Sequence, residues 1–327
     1  MTSIVALLAL SALFDFSNGL RDGSNFVATM ISTQALSFHK AFGIAAVAEF
    51  FGPFIFGVAV ARTFGRDIVG PESITINVLL AALISAVIWN LITWYLSFPS
   101  SSTHALLGGM IGAVAVGAGI QAIQTQGIVK ILISLFISPP LGLLFGFLIM
   151  KVVLRISASA SPRINSLFKN SQILTGIVLA LSYGANDAQK TMGLIALGLV
   201  VTGWLPDFSI PIWVIALSAG MISLGIFFGG QRMVRTLGGK FYKIRPVEGF
   251  SSQLSSVGVI LGAGLLGGPV SSSQVVTTTI LGAGSARRIN KVRWQTAGNI
   301  AEAWLLTIPL CAGLAAGVYM VLNYFAL

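Results

Sequence analysis

Two aspartates stand inside long apolar stretches of this 327-residue chain, each in a polar motif that begins with glycine. The first reads Gly19-Leu-Arg21-Asp22-Gly-Ser-Asn25 and the second Gly184-Ala-Asn186-Asp187-Ala-Gln-Lys190. A carboxylate in such surroundings can hold a hard cation such as Na⁺, or take up a proton. Asn25, one helical turn after Asp22, adds an amide to the same face, and Asn186 adjoins Asp187. The nearby glycines predict that both helices break, near 17–25 and 182–187, freeing backbone carbonyls for the site. Glu49, in Ala-Val-Ala-Glu-Phe-Phe-Gly, and Glu302, in Asn-Ile-Ala-Glu-Ala-Trp, are further candidates for a cation or proton relay. So is Asp15, seven residues before Asp22. Arg21 and Lys190 either neutralise the neighbouring aspartates or touch an anionic substrate. A charge inside a bilayer costs at least ~2.5–3.5 kcal/mol, so each of these groups needs a partner or a task.

A second pair of motifs offers anion chemistry. Pro99-Ser-Ser101-Ser102-Thr103-His104 and Pro269-Val-Ser271-Ser272-Ser273-Gln274 place hydroxyls where new helices begin. A helix N-terminus carries partial positive charge and free N–H donors, which suits a phosphate or sulfate oxyanion. If the two segments dip into the membrane from opposite faces, their helix ends converge on one central site. Ordinary N-capping would use the same residues. His104 has Gln274 as its counterpart, so titration there is not shared, and a capping role is expected of it.

The elements that must carry these residues follow from composition. Only 9% of the residues are charged and 55% are hydrophobic, whereas a soluble domain carries about 25% charge. The mean hydropathy is +0.92. Such a chain cannot cover a water-facing surface, which excludes a soluble enzyme. The net charge of +10 comes from short basic clusters between apolar runs, not from a nucleic-acid-binding face. The class that remains is an all-α polytopic membrane protein, with lipid as its surroundings and room for about ten spans. Apolar segments fall at about 3–36, 41–61, 74–97, 104–120 and 127–150, then at 172–200, 211–231, 253–268, 275–285 and 297–325. The segment at 275–285 is too short for a full span, so it and its neighbour are expected to form a re-entrant hairpin. The start lacks a basic n-region and reads as a retained first span rather than a signal peptide. The single cysteine, Cys311, excludes disulfide and cysteine–metal frameworks.

The chain also repeats itself. The aspartate motifs recur 165 residues apart and the serine motifs 170 apart, in the same order. This divides the chain into a first repeat at 1–150, a cytoplasmic linker at 151–171 and a second repeat at 172–327. An odd number of segments per repeat inverts the second relative to the first. Inverted repeats with broken helices at mid-membrane are the build of secondary transporters. Orientation follows the basic residues. With the N-terminus outside, the inner loops hold fourteen Lys and Arg, and the outer loops only Arg62, Arg66 and Lys130. Both termini are then outside a cell membrane.

At these motifs the sequence resembles the inorganic phosphate transporter (PiT) family, in its compact bacterial form. Gly184-Ala-Asn-Asp187-Ala-Gln-Lys190-Thr-Met-Gly and Asp22-Gly-Ser-Asn25-Phe-Val-Ala-Thr look like the family's duplicated signature, and Trp304-Leu-Leu-Thr-Ile-Pro309 also fits. The resemblance implies symport of inorganic phosphate with Na⁺ or H⁺ by alternating access, with no other cofactor. It implies coupling-ion roles at Asp22, Asn25, Asn186, Asp187, Glu49 and Glu302, with Na⁺ at Asp22 and Asp187. Substrate contacts fall to Ser101, Ser102, Thr103, Ser271, Ser272, Ser273, Lys190 and Arg21. Arg21 and Lys190 depart from the family's amides at these places, which shifts the balance towards proton coupling or direct anion contact. Sulfate and a metal-phosphate complex remain alternative substrates. An intramembrane enzyme acting on lipid phosphates would need a nucleophile–base pair or a metal cluster that two His and one Cys do not supply. Whether two copies pair as a homodimer is left open by the sequence.

Overall fold

A computed structural model describes residues 2–70, 74–96, 98, 100–161, 163–229, 244–292 and 294–325, without the side chains of Phe26, Lys291 and Thr296. Pro99, and Arg232, Arg235, Lys240, Lys243 and Arg293 of the orientation count, lie outside the described residues.

The regular structure of the described residues is helical, apart from one antiparallel bridge between Val69 and Ile123. Lipid offers no partner for backbone N–H and C=O groups, so an apolar chain in a bilayer pairs them within helices. Helices α1 (Thr2–Ser32), α4 (Ile76–Tyr95) and α6 (Thr125–Ile156) are long and apolar enough to cross a membrane, as is the Ala297–Tyr324 part of α11 (Trp294–Tyr324). Helix α2 (Phe38–Phe56) bends by 73° into α3 (Ala59–Arg62) and a π-helical turn, the shape of a broken span or a re-entrant loop. The remaining helices are α5 (Ser102–Gly117), α7 (Ile164–Val201), α8 (Ile212–Phe228), α9 (Pro246–Leu265) and α10 (Ser272–Arg288). The outer surface is apolar, with Phe145, Leu144, Leu305 and Leu306 exposed, while Arg21, Asp22, Asp187 and Lys190 are buried. The chain is an all-α polytopic membrane protein.

Glycines set the helix pairs, and the contacts come in matched sets. A Cβ on Gly19 of α1 would stand 2.0 Å from the Ile222 carbonyl of α8, and one on Gly184 of α7 would stand 2.0 Å from the Glu49 carbonyl of α2. Gly225 of α8 meets Phe16, and Gly52 of α2 meets Leu181, in the same way. A second matched set joins α5 to α11 through Gly112, and α6 to α10 through Gly146 and Gly282. In every set a helix from the first half of the chain packs on one from the second.

Two expectations change here. Helices α1 and α7 run unbroken through 17–25 and 182–187. Their glycines serve close helix approach, and the aspartates find side-chain partners without any freed backbone. The break occurs instead at Gly57, with φ 80°. There Gln189 of α7 accepts from the N–H groups of Val60 and Ala61 and donates to the Gly57 carbonyl, satisfying groups the break exposes. The basic stretch after 150 is also mostly helical, since α6 runs to Ile156 and α7 starts at Ile164.

Candidate functional site

Helices α4 and α5 form one hairpin and α9 and α10 another. The base of the first is held by the Val69–Ile123 bridge and by the Gln124 N–H donating to the Ile68 carbonyl at 2.9 Å. The base of the second is held by Arg287 and Glu248 at 3.4 Å. Their tips meet inside the protein, where the Thr103 hydroxyl donates to the Val270 carbonyl at 3.2 Å. The serine motifs form these tips, and Ser100, Ser101, Ser102, Thr103, Ser271 and Ser272 are all buried.

Each aspartate motif lies against the tip of its own half. On α1, Arg21 bonds Asp22 at 3.1 and 3.2 Å, Asn90 Oδ1 at 2.8 Å and Ser100 Oγ at 3.1 Å. Asn25 donates to Asp22 at 3.2 Å, and Ser102 reaches Asp22 at 3.5 Å. On α7, Asn186 donates to Asp187 at 3.1 Å and to the Val270 carbonyl and Ser272 Oγ, both at 2.9 Å. It also accepts from the Val270 N–H at 3.2 Å. Lys190 joins the two tips: its ammonium bonds Asp187, Thr103 Oγ1 at 2.6 Å and the Val270 carbonyl at 3.2 Å. Both cations thus pair with their aspartates and also touch a tip.

The serines divide by role. Ser101 caps α5, accepting from the His104 N–H at 3.2 Å. Ser271 and Ser273 face each other at 3.3 Å, and no side chain caps α10. His104 Nδ1 lies 3.3 Å from Gln274 Nε2, so these counterpart residues meet directly.

Glu49 is buried beside Gly184, and its Oε2 has no hydrogen-bond partner among the described residues. It lies within electrostatic reach of Asp15, Asp22, Asp187 and Lys190. Asp15 is buried against Thr191. The buried centre therefore holds four carboxylates and two cations among the described residues. Glu302 does not join it. Helix α11 packs its other face on α4 and α5 and leaves Glu302 exposed on the outside. Sequence reasoning missed Asn90, which ties Arg21 to α4; an amide well inside the apolar run Ile76–Tyr95 was its available signal. It missed Gln189 as well, because the break that Gln189 stitches was expected elsewhere.

A charged centre sealed inside apolar helices, with two hairpin tips meeting at it, defines a membrane transport protein of the secondary-transporter type. The model of the Phosphate transporter family matches residues 18–315, and the chain belongs to that family. It is 39% identical to the "Probable low-affinity inorganic phosphate transporter" of Rhizobium meliloti (strain 1021), over 99% of this chain and 96% of that one. It is 38% identical to the protein so described in Bacillus subtilis (strain 168), over 99% and 97%. A solved structure described as "The sodium-dependent phosphate transporter" superposes with a TM-score of 0.90 at 27% identity, covering 99% of this chain and 100% of that one. The family is one of transporters, not of enzymes.

Proposed function

We propose that this protein imports inorganic phosphate by symport with Na⁺, through alternating access around the buried centre. The observation that carries this reading is the Lys190 ammonium, bonded at once to Asp187 and to both hairpin tips. A phosphate entering between the tips would meet the Ser102, Thr103 and Ser272 hydroxyls, the N-terminal amides of α5 and α10, and the Lys190 and Arg21 cations. Buried acids already outnumber buried bases there, so an anion arriving alone would deepen an uncompensated negative charge. Cations must arrive with it. Asp22 with Asn25, Asp187 with Asn186, and Glu49 are the oxygen ligands or charges that would receive them. The relation to a sodium-dependent transporter favours Na⁺ over H⁺.

The matched helix contacts and the meeting of His104 with Gln274 support two repeats, 1–150 and 172–327, related by a pseudo-two-fold axis near that pair. Each hairpin enters and leaves on one side, and the tips touch, so the hairpins re-enter from opposite faces. Rocking one half against the other would expose the tips alternately to each side.

Phosphate uptake into proteoliposomes under imposed Na⁺ or H⁺ gradients, with sulfate as competitor, tests this function. Uptake should follow the Na⁺ gradient and ignore sulfate. Uptake driven by a proton gradient alone would reassign the coupling ion. Ser102→Ala and Ser272→Ala should each raise the phosphate dissociation constant about tenfold to a hundredfold, since a charge-assisted hydrogen bond contributes roughly 1.5–3 kcal/mol. Unchanged affinity in both would move the anion away from the tips.

A further inference from the structure

Asp15 on α1 is fully buried, yet no Lys, Arg or His pairs with it among the described residues. Its neighbours are oxygens. Thr191 Oγ1 of α7 lies 2.8 Å from each carboxylate oxygen, 3.0 Å from the Ala188 carbonyl and 3.3 Å from Ser218 Oγ of α8. A hydroxyl has one proton, so it satisfies only one of these oxygens at a time. Ser11 stands four residues before Asp15, on the same face of α1. It is fully buried and its hydroxyl has no partner among the described residues. Ser17 bonds back to Phe14 and Ser255 to the Ser251 carbonyl on their own helices, whereas the hydroxyls of Ser11 and Ser251 find no partner among the described residues.

We propose that Asp15, Thr191, Ser218 and Ser11 form an additional Na⁺ site, distinct from the aspartates at the hairpin tips. An all-oxygen ligand set suits a hard cation. One carboxylate balances one positive charge, which favours a monovalent ion over a divalent one. The site stands outside the duplicated machinery. Counterparts of Ser11 and Asp15 on α7, 165 residues later, are Gly176 and Ala180; the counterpart of Ser218 on α2, 173 residues earlier, is Ala45. None carries a side-chain oxygen. The ion would bridge α1 and α8 to α7 at Thr191, one residue after Lys190 and one helical turn after Asp187. Filling it fixes α7 in the register that presents Lys190 to the tips, so Na⁺ here binds before phosphate.

This inference rests on the sodium-coupled reading above, and equilibrium binding of radioactive Na⁺ to the purified full chain separates the two. At saturation the wild type should hold one more Na⁺ than Asp15→Asn. Phosphate binding at high Na⁺ should need more Na⁺ in Thr191→Val, by about tenfold for one lost charge-assisted contact, and Thr191→Ser should restore it. Should Asp15→Asn fail to fold, Ser11→Ala and Ser218→Ala carry the test, each weakening Na⁺ binding. Equal Na⁺ occupancy in Asp15→Asn and wild type, or unchanged Na⁺ affinity in both serine variants, overturns the site while leaving sodium coupling intact. A wild type that binds no Na⁺ overturns the coupling reading and the site together.

Discussion

Lys190 has no slack. Its three bonds go to Asp187 and to both hairpin tips, and it is buried to the ammonium. Removing one partner of a buried ion pair leaves the other charge uncompensated, at a cost of about 3–5 kcal/mol. Lys190→Gln should therefore lower the thermal unfolding midpoint of the detergent-solubilised protein. Adding Asp187→Asn to it should recover most of that loss, because the orphaned charge is gone, yet leave phosphate uptake abolished. If the double variant is no more stable than Lys190→Gln alone, the pair is not the electrostatic unit described. Arg21 differs: its guanidinium also bonds Asn90 and Ser100, so it spreads its charge over neutral acceptors and anchors α4 to α1.

At the scale of elements, glycine decides which helices pair. A Cβ on Gly112 would stand 2.0 Å from the Ala312 carbonyl, and one on Gly19 as close to that of Ile222. Backbone cannot yield as a side-chain tip can, so the helices would have to part. Gly112→Ala and Gly19→Ala should each destabilise the fold by about 1–3 kcal/mol, the usual cost of overpacking, lowering the yield of monodisperse protein. Gly313→Ala, at a position with nothing within 4 Å, is the matched control and should leave yield unchanged. Equal yields for all three would show that the helices part at no cost. Hairpin α9–α10 has a second anchor at its tip. The Gly267 carbonyl accepts from Thr63 at 2.7 Å, and Thr63 accepts from Lys130, which pairs with Asp67 at 3.5 Å.

For the whole molecule, the arrangement of charge sets the topology. Lys151 and Arg155 end α6 and Lys169 lies in the first turns of α7, around the connection at 157–163. On the excess of Lys and Arg we propose that this connection lies in the cytoplasm. Cys311 is buried and free, so a Cys311→Ala background is suitable for labelling. Single cysteines at Ser159 and Ser161 should resist impermeant thiol reagents on intact cells, whereas one at Gln126 should react. The opposite pattern would invert the orientation and turn the import reading around.

The sequence by itself determined the membrane class, because nine charged residues in a hundred cannot cover a water-facing surface. It also showed the recurring motifs and the polar residues inside apolar runs, and a polar group in such a run is costly wherever the chain folds. Asp22, Asp187, Lys190 and the serines of both tips were legible for that reason. Only the tertiary structure decided which partners they take. A glycine reads alike in sequence whether it breaks a helix or seats one helix on another, so the break had to be found at Gly57 and its stitch at Gln189. Glu49 and Glu302 both sit in apolar sequence, and only the packing of α2 and α11 turns one inward and the other out. The bonds from Arg21 to Asn90 and from Asp15 to Thr191 span 69 and 176 residues. Local pattern carries no record of such a distance; the pairing exists only once α1 is laid against α4 and against α7.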